Sequence, residues 1–120
     1  MSGGEVTLTD LELSHSITRR KYIDHAWDYL AKIKEVCRRL DSSCEVLVFG
    51  SFVKGNMRPD SDVDVLVITR LAESPLERGR VFRAIVEELG LESPFELHIV
   101  TRDEYEKLYK KFLDVYEVVP

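Results

Sequence analysis

The sequence holds only two cysteines, one tryptophan and four prolines in 120 residues. Cys37 and Cys44 fit no metal-ligand spacing and make no disulfide framework, so both are expected as reduced thiols in a cytoplasmic protein. Long hydrophobic runs are missing too. The longest wholly apolar stretches are Val46–Phe49 and Val65–Ile68. A membrane span needs about 18 apolar residues, and no signal-peptide core follows Met1, so no membrane association is expected. Positive charge is not in excess: 17 basic against 22 acidic residues leave a net −5. That balance makes nucleic acid an unlikely partner, because non-specific binding rests on phosphate neutralisation. Repeats, low-complexity segments and interdomain linkers are absent. At 120 residues the chain reads as one domain. It has no room for the extra domains with which polymerases and tRNA-modifying enzymes hold template or acceptor. What is present suffices for one core: 44% hydrophobic and 32% charged residues mark a folded globular chain rather than a disordered one.

Residues 1–16 carry little pattern and read as a flexible N-terminal extension, with at most a short strand or helical turn. Residues 17–120 read as the single folded domain. From Thr18 to Leu40, apolar residues recur at three and four (Tyr22, Ile23, Ala26, Trp27, Leu30, Ile33, Cys37, Leu40), which predicts one long helix. Tyr22 and Trp27 read as core on this stripe. Asp41-Ser42-Ser43 breaks the pattern. Strands are expected over Cys44–Phe49, Asp62–Thr69 and Phe95–Thr101. Ser51–Gly55 has room for one helical turn, and Arg58-Pro59-Asp60-Ser61 is turn chemistry. Ser74-Pro75-Leu76-Glu77 is a capping box with proline at the first helical position; it opens a helix that stops at Gly90. Thr101 to Glu104 is a second capping box, opening a helix through Phe112. Val115–Val119 is apolar and reads as an edge strand or as a partner-facing segment. This order predicts an α/β (α+β) fold: one small mixed sheet with helices packed on one face.

Three features carry chemistry. Gly50-Ser51 ends a buried strand and is followed by Gly55. Backbone N–H groups at such a turn can cradle phosphate, though Gly-Ser alone is equally a plain tight turn. Asp62 and Asp64 are two apart on a strand and so share a face. Two carboxylates that close repel unless a cation compensates, and they suit Mg²⁺. Alone, they are also a polar strand start facing solvent. Glu96 interrupts an apolar strand and faces the same way as His98 and Val100. A buried charge needs a pair or a metal; an exposed edge is the alternative. His98 either orients a ligand or is an ordinary half-buried histidine. Lys54 and Arg58 either neutralise phosphate or are solvated loop residues. Asp60 stabilises the turn, and Arg78, Arg80 and Arg83 form a solvated helix face that could meet an acidic partner.

Taken together, Gly50-Ser51, a gap of ten residues, Asp62-x-Asp64 and a carboxylate 32 residues later form one pattern. The segments GSFVKGNMRPDSDVDVLVIT (Gly50 to Thr69) and FELHIVT (Phe95 to Thr101) resemble the minimal nucleotidyltransferases of the DNA polymerase beta-like superfamily. The resemblance implies the nucleotidyltransferase fold, with a site open on the helix-free side of the sheet. It implies that Gly50, Ser51, Lys54 and Gly55 hold the phosphates of ATP or another nucleoside triphosphate. It implies Asp62, Asp64 and Glu96 as catalytic metal ligands, with glutamate where the family most often has aspartate. Two Mg²⁺ ions (or Mn²⁺) about 3.5–4 Å apart would clamp the attacking and leaving oxygens.

The expected reaction is transfer of a nucleoside monophosphate, AMP from ATP, to an acceptor hydroxyl. Small stand-alone members resemble one half of two-gene toxin–antitoxin systems, whose other half is a small helical protein of the HEPN type. A protein acceptor, with that partner or a homodimer, is therefore expected. The alternative is a catalytically silent module of the same fold that regulates or scaffolds a partner.

Overall fold

The structure, a computed structural model, describes residues 6–120. Thr7 opens the first helix, α1 (Leu8–Asp24), through a reciprocal capping box with Asp10. The helix thus begins ten residues before the predicted start. Most of the segment read as a flexible extension is helical, while residues 1–5 lie outside the described residues. The predicted single helix is also divided. His25 (φ −120°, ψ 31°) separates α1 from α2 (Ala26–Leu40). The two halves have different tasks. No residue of α1 is buried, and its last turns reach the end of a neighbouring helix and the 61–62 loop. In contrast, α2 buries Ala26, Leu30, Ile33, Val36 and Cys37 against the sheet at helical spacing. Trp27, expected in the core, is more than a third exposed and rests near Phe52.

The sheet order is β3-β2-β1-β4. β1 (Glu45–Phe49) pairs antiparallel with β2 (Val63–Ile68), and β2 pairs parallel with β3 (Phe95–Val100). Between β1 and β2 lies a one-turn helix, α3 (Ser51–Lys54). Between β2 and β3 run a 3₁₀ turn, Arg70–Glu73, and α4 (Pro75–Leu89), whose N-cap Ser74 accepts from the Glu77 N–H. The expected strands stand to within one residue at each end, because their valine-rich runs are buried on both faces. The tail forms β4 (Tyr116–Val118), antiparallel to β1, and Val119 beyond it is buried. The apolar terminus therefore completes the chain's own sheet.

Alternation along the strands divides the side chains cleanly. Val46, Val48, Val63, Val65, Val67, Phe95 and Ile99 face α2 and α4 and form the main core. Leu47, Leu66, Ile68 and Val100 face the other way. That second face is not bare. A C-terminal segment, α5 (Arg102–Glu104) continuing as π-helix over Tyr105–Tyr109, covers one end of it with Tyr105, Tyr109 and Leu113. The predicted α-helix through Phe112 is thus a broader π-turn, with the Lys110 N–H donating to the Tyr105 carbonyl five residues back at 2.8 Å.

The cysteines correct the sequence reading. Cys37 and Cys44 form a disulfide with Cα atoms 6.1 Å apart. The turn at Asp41 folds the start of β1 back on the last turn of α2, which a spacing rule for metal sites does not register. The cysteines therefore no longer argue for a reducing compartment. Among the described residues, no helix is long and apolar enough to cross a membrane.

Candidate active site

The site begins at the end of β1. Phe49 stands opposite Asp64 on β2, and the next residue, Gly50, turns the chain away with φ +78° and ψ −154°. A Cβ at position 50 would lie 2.3 Å from Asp64 Oδ2. Two independent constraints thus require glycine: a left-handed φ and the carboxylate against its Cα. Ser51 then opens α3, and Gly55 closes it in the left-handed conformation, its N–H donating to the Ser51 carbonyl at 3.0 Å. The loop beyond is drawn tight by the Arg58 N–H donating to Ser61 Oγ at 3.0 Å. The Val63 N–H donates to the Pro94 carbonyl at 2.8 Å, so β2 and β3 start together, without a bulge.

That start sets the register. Asp64 is the direct neighbour of Glu96, and Leu66 of His98. Asp64, Glu96 and His98 each offer a ligand atom, all within 4.8 Å of one another. They lie on the sheet face away from α2 and α4, at the end that the C-terminal segment leaves open. Burial pushes the Asp64 carboxyl above its ordinary value. A hydrogen bond with Glu96, its charge and that of Asp62 push the same way, and His98 opposes them. A half-buried carboxylate beside a second one, with a glycine cleared to admit it, is a donor set that a divalent cation fits.

Asp62 is not one of these three, although its charge acts on Asp64. It precedes β2, and Arg19 Nη1 on α1 donates to its Oδ1 at 3.2 Å, while Arg19 Nη2 bonds the Ser61 carbonyl. Arg19 is mostly buried, and its Nε has no hydrogen-bond partner in the structure. Nothing in the sequence signals this residue; it sits on a helix 43 positions away. Arg19, Arg20 and Arg58 line a cavity of about 440 Å³ between α1 and the loop. Lys54 pairs with Asp114 at 3.4 Å, which ties α3 to the C-terminal segment. His98, read from the sequence as sharing a face with Glu96, lies within the acidic group, its ring packed near those of Phe49 and Tyr109.

A family model described as a nucleotidyltransferase domain matches residues 30–119, which spans every site element except α1 and Arg19. The chain is 28% identical to a crystal structure provisionally assigned as a nucleotidyltransferase, with a TM-score of 0.65 over 75% of this chain and 96% of that one. A second, provisionally assigned nucleotidyltransferase from Sulfolobus solfataricus shares 15% identity and a TM-score of 0.52 over 98% of this chain and 89% of that one; it supports the fold alone. No curated protein matches the sequence.

Proposed function

The chain belongs to the nucleotidyltransferase-domain family, and from that premise we propose that it moves a nucleoside monophosphate, AMP from ATP, to an acceptor hydroxyl in a divalent-metal-dependent reaction that breaks the bond between the α- and β-phosphates and releases pyrophosphate. The observation that carries this reading is the contact of Gly50 with Asp64, in register with Glu96. It joins a phosphate-type turn to an acidic site in one place. A divalent ion, Mg²⁺ or Mn²⁺, bound there supplies positive charge against the triphosphate and acidifies the acceptor hydroxyl. Asp64 and Glu96 would hold it, and Asp62 would join them if it were released from Arg19. The backbone N–H groups after Gly50 and the Ser51 hydroxyl orient the phosphates, Gly55 lets that turn close, and Lys54 adds charge after leaving Asp114. Glu96 is more exposed than Asp64, which supports a role for it in taking the acceptor proton. Such transfer is mostly positioning and electrostatics. The acceptor we assign is a hydroxyl on a protein, either a small helical HEPN-type partner or a second copy.

One observation favours the second reading, a catalytically silent module: Arg19 already neutralises Asp62. Label transfer from α-labelled ATP separates the two. The wild type should move label and gain thermal stability with Mg²⁺–ATP, because a ligand that binds only the native state raises apparent stability. Asp64→Asn should abolish both while keeping its fold. An unchanged Mg²⁺–ATP shift in that variant would rule out the metal site. A shift without label transfer, across a panel of candidate acceptors, would favour the silent module.

A further inference from the structure

We infer that His98 is a direct ligand of the divalent cation, and that its nitrogen makes the site prefer a first-row transition ion such as Mn²⁺ to Mg²⁺. The inference rests on the metal-dependent reading above and deepens it.

His98 Nε2 lies 3.7 Å from Glu96 Oε1 and 3.9 Å from Asp64 Oδ1. Both separations exceed hydrogen-bond length, so neither carboxylate holds the ring directly. They are close to what shared coordination requires. Metal–nitrogen and metal–oxygen bonds of about 2.0–2.2 Å place neighbouring donors about 3–3.5 Å apart. With all three ligand atoms within 4.8 Å of one another, a closure of less than about 1 Å in each histidine–carboxylate pair reaches that spacing.

The ring is held instead by packing. Its centroid is 5.6 Å from that of Phe49 and 5.9 Å from that of Tyr109. One ring comes from the end of β1 and the other from the C-terminal segment, so two separate elements pack on the imidazole before any ion arrives. About three-quarters of the side chain is buried. A ligand locked by its neighbours loses little freedom on binding.

The chemistry of the donors then decides the ion. Mg²⁺ demands oxygen ligands and keeps its waters. Imidazole suits the later first-row ions best, and Mn²⁺, larger and less tightly hydrated than Mg²⁺, admits a nitrogen beside its carboxylates more readily than Mg²⁺ does. A nitrogen set between two carboxylates therefore costs Mg²⁺ more than Mn²⁺.

Pulsed electron paramagnetic resonance on the full chain loaded with Mn²⁺, without nucleotide, tests this. The wild type should show electron–nuclear coupling from a directly bound ¹⁴N, changing to the ¹⁵N pattern when histidine is isotopically labelled. His98→Gln should lose that coupling, and its preference for Mn²⁺ over Mg²⁺ in a competition titration should fall by about tenfold or more. Bound Mn²⁺ without nitrogen coupling in the wild type would overturn the proposal, and that result needs no variant to fold. So would coupling or ion preference that is unchanged in His98→Gln. Asp64→Asn separates this from the parent reading. If Asp64→Asn loses Mn²⁺ while His98→Gln behaves as wild type, only the role of His98 falls. If Asp64→Asn binds Mn²⁺ as the wild type does, the metal site itself falls with it.

Discussion

Gly50 and Asp64 act as one unit. Alanine at position 50 must adopt φ +78° and place its Cβ 2.3 Å from Asp64 Oδ2. A non-glycine residue in such a conformation costs about 1–3 kcal/mol, before Asp64 is displaced. Gly50→Ala should therefore lose about 2 kcal/mol or more in urea unfolding, together with the metal-induced thermal shift. Part of that cost is shared with Asp64. The double variant Gly50→Ala/Asp64→Ala should be less destabilised than the two single variants summed, as contacting residues are. Strict additivity would mean that the close approach does not exist in solution.

Among the elements, the join of α2 to β1 is held by a buried carboxylate. Asp41 Oδ1 accepts from the Ser43 hydroxyl at 2.7 Å and its N–H at 3.0 Å; Oδ2 accepts from Thr69 Oγ1 at 2.8 Å and the Arg70 N–H at 3.2 Å. Burial pushes this carboxyl up, but the four bonds outweigh it and hold it at about 2. A carboxyl whose folded value lies below its unfolded one, about 3.9, adds stability above that unfolded value. That contribution disappears as pH falls from about 5 through about 2. Asp41→Asn should thus cost about 2 kcal/mol at pH 7. Denaturant titrations at pH 7 and pH 3 should show its deficit shrinking in acid. A pH-independent deficit would mean that the charge plays no part. The Cys37–Cys44 disulfide closes the same corner covalently.

On the scale of the whole molecule, the chain is elongated, with extents of 57 × 31 × 22 Å. On α1, Leu8, Leu11, Leu13 and Ile17 are all exposed. The tail, by contrast, is committed inward. The Val119 N–H donates to the Val46 carbonyl at 2.9 Å, and Lys34 Nζ to the Val119 carbonyl at 2.9 Å. Removing residues 115–120 strips β4 and bares the backbone of β1. An uncovered edge strand invites pairing with other chains. The truncated protein should melt at lower temperature and sediment as larger species than the full chain. A truncation that stays as stable and as small as the parent would place the tail outside the fold.

Local chemistry in the sequence determined much of this protein. Runs of valine bounded by glycine and turn residues specify β1 and β2, a short apolar run specifies β3, and serine–proline and threonine–glutamate boxes specify where helices start. Strand alternation put Glu96 and His98 on one face before any coordinates. Gly50-Ser51 and Asp62-x-Asp64, ten residues apart, with Glu96 32 residues further on, were enough to reach the family. What remained undetermined depends on pairs distant in the chain. The break at His25 carries no proline or glycine; it places α1 across the 61–62 loop and α2 along the sheet. Arg19 meets Asp62 across 43 positions, a contact that no local pattern in the sequence announces. The disulfide required the corner at Asp41, and β4 required a free edge on β1. Asp64, Glu96 and His98 meet because β2 and β3 begin in step, tied by the Pro94 carbonyl. Register between strands is a property of the assembled sheet, since a slip of one residue would turn every side chain to the opposite face.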